Sequence, residues 1–388
     1  MTTLRPTLRR PFSLPARVAA IVCLAFATAC DPELVPPPNP GTATASGRVV
    51  GLDGRPVAGA TVSPAQGDAT RTDSLGLFTL TGVRPSDRLA VNVASASFVS
   101  TTVVYPVYPG RETFRIVSLI PRAQAQPVNA ERGGEVPLGR GGSVRLEPGS
   151  LVDAGGQPAR GEVLVRATYI DPTDTTQVLA APGDYLSTVR AGAGAPLETL
   201  GMVEINVTDR AGRELRLADN RSATVRWPRT SEPARGAFFA FDRRSGLWDR
   251  RGDIDVGGTP VFTIDEISNW DIDFPVVCIR VHAGAPGVRV IAQGLDYSSA
   301  TDGWTDASGF AILGVRASSS VKLGVHPAQA LATNTFSTPA GPIIPPTTPF
   351  GTQQERLAAC PGPIANGGTL TIRPDWIANR RIDAVIAR

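Results

Sequence analysis

The chain has 388 residues, with 38 Lys+Arg against 35 Asp+Glu, 40 Gly, 35 Pro and an aromatic content of 6%. That length has room for two or three ordinary domains, and the Gly and Pro content, without a long 3.6-period segment, favours an all-β chain with many turns. The net charge of +3 is misleading, because Arg5, Arg9, Arg10 and Arg17 lie in an acid-free stretch of thirty residues; setting them aside leaves 34 basic against 35 acidic residues, which removes the electrostatic support for a nucleic-acid partner.

Residues 1–29 read as a bacterial export signal. Four arginines precede an apolar run, Val18 to Ala27, which is too short to span a bilayer and suits the h-region of a signal peptide. Ala27-Thr28-Ala29-Cys30 resembles a lipobox, in which Cys30 would carry a diacylglycerol thioether and become the mature N-terminus. The sequence departs from the usual pattern in having Ala27 in place of leucine. An ordinary signal peptide cut after Ala29, with Cys30 as a free thiol, is the alternative. Arg9-Arg10-Pro11-Phe12 faintly resembles a twin-arginine signal, but no cofactor argues for that route. Residues 30–42, with Pro36-Pro37-Pro38 and Pro40, form a stiff extended tether.

The stretch Gly47 to Val62, GRVVGLDGRPVAGATV, and its continuation Thr72 to Leu80, TDSLGLFTL, organise the next region. Asp53-Gly54 and Asp73 to Gly76 are turn signals, since Gly accepts positive φ and Asp bonds its own backbone. Val49-Val50 and the return from Gly59 to Val62 read as two edges of one sheet, with Pro56 confining the return to an edge or to the loop before it. Phe78 and Leu80 alternate with Thr79 and Thr81, and Leu89, Val91 and Val93 keep the same period. These motifs resemble the carboxypeptidase regulatory-like domain, a transthyretin-type Greek-key sandwich. The likeness covers 43–122 and implies a fold without catalytic residues.

Ala123 to Ala130 reads as a linker, and 131–273 as a larger β-domain. Val144 and Leu146, Val163 and Val165, and Val203, Ile205 and Val207 alternate with polar residues, and Asp153 to Gly156, Asp209 to Gly212 and Arg244 to Gly246 mark turns. The order of its features, from Glu147-Pro148-Gly149-Ser150-Leu151 to Ser268-Asn269-Trp270-Asp271-Ile272-Asp273, is similar to a region beside carboxypeptidase-like modules in cartilage intermediate layer proteins, and to ZU-type β-domains. The His-Phe-Ser self-cleavage site of some ZU relatives is missing, because this segment has no histidine.

From 274 to 388 the chain looks like a degenerate second carboxypeptidase regulatory-like sandwich. Thr305 to Ile312 repeats Thr72 to Thr79 with the aromatic one place earlier, Gly314-Val315-Arg316 echoes Gly82-Val83-Arg84, and Ala285 to Val290 stands where the first copy has Pro56 to Val62. That shift leaves the register open. A Pro-rich loop, Thr338 to Phe350, precedes the expected closing strand Thr369 to Ile372.

Chemistry-bearing residues are few. With Cys23 in the signal and Cys30 at the lipid site, Cys278 and Cys360 remain, and in an oxidising compartment they most simply form a disulfide closing a loop of about eighty residues, worth on the order of 4 kcal/mol. A catalytic thiol is the alternative and needs a histidine partner. His282 and His326 lack metal or triad spacing, no G-x-S-x-G elbow is present, and Lys322 is the only lysine. Asp265, Glu266, Asp271 and Asp273 offer oxygen ligands that calcium would accept, or else form a solvated loop. Arg251-Gly252-Asp253 spells an integrin tripeptide but reads as a turn. Trp248, Trp270, Trp304 and Trp376 are candidates for stacking on sugars or for packing in cores.

The expectation is therefore a serial all-β lipoprotein, without catalytic residues, cofactor or metal, held to a membrane by its N-terminal lipid. Located at the cell envelope, it would present β-sandwiches to an envelope polysaccharide or a protein. A carbohydrate-binding protein is the first rival, and a carboxylate-dependent hydrolase the second.

Overall fold

The computed structural model describes residues 41–369 apart from 190–192, 230–234, 275, 285–287, 298, 306–307, 327–333 and 338–364. The signal, Cys30, the tether, Cys360 and Trp376 lie outside the described residues. The described part is all-β with one short helix, and among those residues no helix is long and apolar enough to cross a membrane.

Strands β1 (Ala43–Gly51), β2 (Thr61–Pro64), β3 (Thr70–Arg71), β4 (Leu77–Val83), β5 (Ser86–Ala94), β6 (Thr101–Val107) and β7 (Glu112–Leu119) form two sheets, in the orders β4-β1-β7 and β3-β2-β5-β6. Their inner faces bury Val49, Val62, Phe78, Leu80, Leu89, Val91, Val93 and Tyr105, the apolar half of the alternation. The expectation that β1 and β2 share a sheet is corrected here. Each is an inner strand of a different sheet, and Pro56 lies in the connection, bridged to Val50. The crossing is forced because both strands have apolar faces that pack against each other across the core.

The motif glycines have steric reasons. A Cβ on Gly47 would sit 2.3 Å from the Arg115 carbonyl, and one on Gly76, at φ 76°, would sit 2.3 Å from the Val49 carbonyl. Gly76 also closes a turn that recurs twice. At Asp73, Asp153 and Asp209 the aspartate N–H donates to the carbonyl four residues on, its Oδ1 accepts from the N–H groups two and four residues on, and the third residue after it is a glycine with positive φ.

The central region comprises β8 (Gln126–Asn129), β9 (Gly134–Gly139), β10 (Gly142–Leu146), β11 (Leu151–Val152), β12 (Glu162–Ile170), α1 (Thr175–Ala180), β13 (Leu186–Val189), β14 (Ala193–Pro196), β15 (Glu198–Asp209), β16 (Arg216–Leu217), β17 (Ala223–Arg226), β18 (Arg235–Asp242), β19 (Leu247–Asp255), β20 (Val261–Ile264) and β21 (Asn269–Phe274). Its main layers are an eight-stranded sheet, β14-β13-β19-β18-β21-β15-β12-β8, and a four-stranded sheet, β20-β17-β10-β9. Between them Val144, Leu146, Val163, Val165, Val203, Ile205, Trp227 and Trp270 share one core. The expected linker 123–130 contains β8, which pairs with β12. α1 is capped by Asp174, whose side chain accepts from the Thr176 and Gln177 N–H groups.

The last region holds β22 (Val277–His282), β23 (Arg289–Gly294), β24 (Ala300–Trp304), β25 (Phe310–Val315), β26 (Ser320–His326), β27 (Asn334–Ser337) and β28 (Ala365–Thr369). Its sheets run β25-β22-β28 and β24-β23-β26-β27, strand for strand the order of β1 to β7, including a parallel pairing of first and last strands. The register left open by sequence is set by one pair of hydrogen bonds. Thr72 N–H donates to the Ala60 carbonyl at 3.0 Å and Thr72 Oγ1 accepts from Ala60 N–H at 2.9 Å; Thr305 and Val288 make the same two bonds at 2.9 and 2.8 Å. Val288 thus occupies the place of Ala60. The closing strand starts four residues earlier than the Thr369 to Ile372 alternation implied.

Candidate functional site

The eight-stranded sheet has an unusual second face. In β15, Val203, Ile205 and Val207 point into the central core, so strand alternation puts Glu204, Asn206 and Thr208 on the other side. In β21, Trp270 and Ile272 enter the core, and Asn269, Asp271 and Asp273 share the opposite face. These polar side chains are all between 0% and 9% exposed. A fourth apolar cluster shares this face, with Phe239 opposite Asp271, and takes Val99 and Ile120 from the first sandwich, Ala300 from the last, and Val178, Tyr185, Leu197, Phe239, Phe241 and Trp248 from the central region.

Arginines from both flanking sandwiches close this junction. Arg122 reaches Glu204 at 2.7 Å, and Arg316 reaches Glu198 at 2.7 Å, with both carboxylates 1% exposed. Arg88 grips Asp184 through two nitrogens, at 2.5 and 3.1 Å. Arg289 bonds Asp302 within its own sandwich and donates to the Leu179 carbonyl at the end of α1 at 2.9 Å. Arg115 of the first sandwich lies 3.7 Å from the ring centroid of Trp304 in the last, and 5.2 Å from that of Tyr105. Breaking a buried pair of this kind strands a charge and costs about 3–5 kcal/mol, whereas replacing both partners by apolar groups is often neutral.

At the centre of the face, Thr199 Oγ1 donates to Asp271 Oδ1 at 2.6 Å, and the carboxyl of Asp273, two residues on along the same face of β21, has no hydrogen-bond partner among the described residues. Burial pushes both well above the ordinary carboxylate range, and for Asp273 the charges of Asp271 and Glu198 push further. Burial also raises Glu204, although Arg122 opposes it.

The residues nominated by sequence are scattered. Asp265 and Glu266 are surface groups held by Arg251 at 3.5 and 2.7 Å, while Asp271 and Asp273 are sealed inside, so the four acids do not converge as a calcium site would require. Among the described residues no group of three or more His, Cys, Asp and Glu is placed to hold a metal. Arg251-Gly252-Asp253 is corrected from a turn to the interior of β19, with Arg251 bound to Glu266 and Asp253 to Arg250. Trp248 and Trp270 are core residues at 0% and 1% exposure and offer no platform to a sugar. His282 packs its ring against Phe310, with centroids 4.6 Å apart, and His326 lies on β26 in the other sheet. Cys278 is buried on β22 at 1% exposure, and its expected partner Cys360 lies outside the described residues.

Sequence reasoning missed Arg88, Arg122, Arg316, Asp184, Glu198 and Glu204. The one available signal was the polar half of β15 and β21, which alternation alone assigns to solvent.

No family model matches the chain. Mouse (Mus musculus) cartilage intermediate layer protein 2 is 32% identical over 221 residues, covering 53% of this chain and 19% of that protein. The human (Homo sapiens) protein of the same name is 29% identical over 171 residues, covering 42% and 15%, and mouse cartilage intermediate layer protein 1 is 25% identical over 222 residues, covering 53% and 19%. Among solved structures, the Bacillus anthracis TIE protein aligns over 86% of this chain and 50% of its own, at 8% identity and a TM-score of 0.20. BcpA, the major pilin subunit of Bacillus cereus, aligns over 84% and 99%, at 9% identity and a TM-score of 0.16. The chain thus spans 15–19% of the length of these curated relatives.

Proposed function

We propose that this chain is a cell-envelope lipoprotein with a structural or binding role, in which two carboxypeptidase regulatory-like sandwiches are locked to a central β-domain and presented to an envelope polymer or a protein partner. The observation that carries the reading is the junction. Buried arginine–carboxylate contacts tie both flanking sandwiches to one sheet face, which suits a part that transmits load or holds loops at fixed spacing. Similarity to cartilage intermediate layer proteins, named for a tissue layer, supports the same direction. In this reading Cys30 carries the lipid, the Pro-rich tether spaces the body from the membrane, and Cys278 bonds Cys360 to staple the last sandwich.

A carboxylate-dependent hydrolase finds less support. The neighbouring carboxyls Asp271 and Asp273 are 0% and 1% exposed, so among the described residues they are sealed from a glycosidic bond. The test is retention of envelope fractions by the purified chain from Asp31 to Arg388, with polysaccharide and protein fractions assayed separately. Retention of either supports a binding role, and retention of neither removes it.

A further inference from the structure

The polar face of the eight-stranded sheet emerges beyond the junction in an open pocket of about 330 Å3, between β15 and the 242–246 turn. Some of its polar groups are already occupied. Asp242 caps the turn, accepting from Arg244 N–H at 2.9 Å and from Ser245 Oγ at 2.7 Å, and Glu266 is held by Arg251 at 2.7 Å. Four others are uncommitted. Arg243 and Arg244 are exposed and make no ion pair among the described residues, and Glu214 is likewise exposed on the rim. The charge of Arg243 is felt at Glu204, but that carboxylate belongs to Arg122. Asn206 lines the pocket at 8% exposure, and its Oδ1 has no hydrogen-bond partner among the described residues.

A buried acceptor without a donor is costly, and such groups in native structures call for an explanation, commonly a missing ligand or water. The uncommitted set asks for two kinds of atom: donors for Asn206 and Glu214, and an anion for the guanidiniums of the successive residues Arg243 and Arg244. Hydroxyls and a carboxylate on one compact ring meet both demands. The volume lies at the low end of the range of about 300–1,000 Å3 for small-ligand sites, enough for a sugar unit of a longer chain.

We propose that this pocket binds an acidic sugar residue of an envelope polysaccharide, with Arg243 and Arg244 on its carboxylate and Asn206 and Glu214 on its hydroxyls. The proposal rests on the envelope-binding reading and narrows it to one polymer class and one place. It also replaces the tryptophan faces as the sugar-binding element, since Trp248 and Trp270 are in cores.

The experiment is titration of the purified chain from Asp31 to Arg388 with an oligogalacturonate and with a neutral cello-oligosaccharide, by calorimetry at low and high salt. The expected result is binding of the uronate alone, weakened by added salt and at least tenfold weaker in the Arg243→Ala/Arg244→Ala double variant. Both arginines are exposed, so that variant should keep its melting temperature, and Arg243→Lys/Arg244→Lys should retain part of the affinity. Absence of uronate binding, equal binding of the neutral sugar, or an affinity unchanged in the double variant would each overturn the proposal. If uronate binding is absent while envelope fractions are still retained, the pocket assignment fails and the broader reading stands. Retention of an envelope protein that depends on the two arginines would assign the pocket to a protein instead.

Discussion

The two faces of the eight-stranded sheet use the same strands and opposite chemistry. One face packs Val203, Ile205, Trp270 and Ile272 into an ordinary core; the other buries Glu204, Asn269, Asp271 and Asp273 under two docked sandwiches. The first face is held by area, which is non-directional and tolerant. The second is held by directional pairs that fix which surface docks and at what register. The difference teaches that burial in this chain has two origins, folding of a module and assembly of modules, and that only the first has an apolar signature.

Several changes would break or sharpen that contrast. On the apolar face, Trp270→Ala removes a ring packed against Phe238 and Phe262 and should cost about 3–5 kcal/mol in urea unfolding. On the polar face, Arg122→Ala or Arg316→Ala leaves a buried glutamate without its cation and should cost about 3 kcal/mol each. Arg122→Met combined with Glu204→Met should recover most of that loss, a rescue that an apolar truncation such as Trp270→Ala has no counterpart for.

The faces also differ in their response to pH. Asp271 and Asp273 are raised in the folded state, so the native chain keeps protons that the unfolded chain releases above about pH 4. Their contribution is therefore full below pH 4 and is lost as pH rises towards their folded values, by up to about 1.4 kcal/mol per proton per pH unit. Urea midpoints between pH 5 and 8 should fall with this sign, and Asp273→Asn should flatten the slope. The smallest effect belongs to the surface: Arg250→Ala, which loses an exposed pair with Asp253, should change stability by less than about 0.5 kcal/mol.

Much of the fold was legible because its signals are local. The Asp73, Asp153 and Asp209 turns follow from one aspartate and one glycine at fixed spacing, and the alternation of Phe78 and Leu80 or of Val203, Ile205 and Val207 gives strands and their core faces. The strand order of the last region could be suspected from Thr305 and Gly314-Val315, but its register needed the Thr305–Val288 bonds, because the loop between them differs from the first copy. The linker reading of 123–130 failed because β8 is a strand of only four residues whose identity comes from pairing with β12. The junction was illegible for a stronger reason. Period-two alternation says which residues share a face and nothing about what covers it, so Glu198 and Glu204 carried no sign of burial. Their partners, Arg122 and Arg316, are 82 and 118 residues from the glutamates they meet.

The central claim is that the sandwiches and the central β-domain behave as one body through this buried polar face. Differential scanning calorimetry of the chain from Asp31 to Arg388, wild type against Arg122→Ala and Arg316→Ala, tests it most directly. The account predicts one cooperative transition in the wild type that splits in the variants, as the sandwich that lost its arginine melts apart from the rest. Separate transitions already present in the wild type, at temperatures that neither substitution moves, would contradict it.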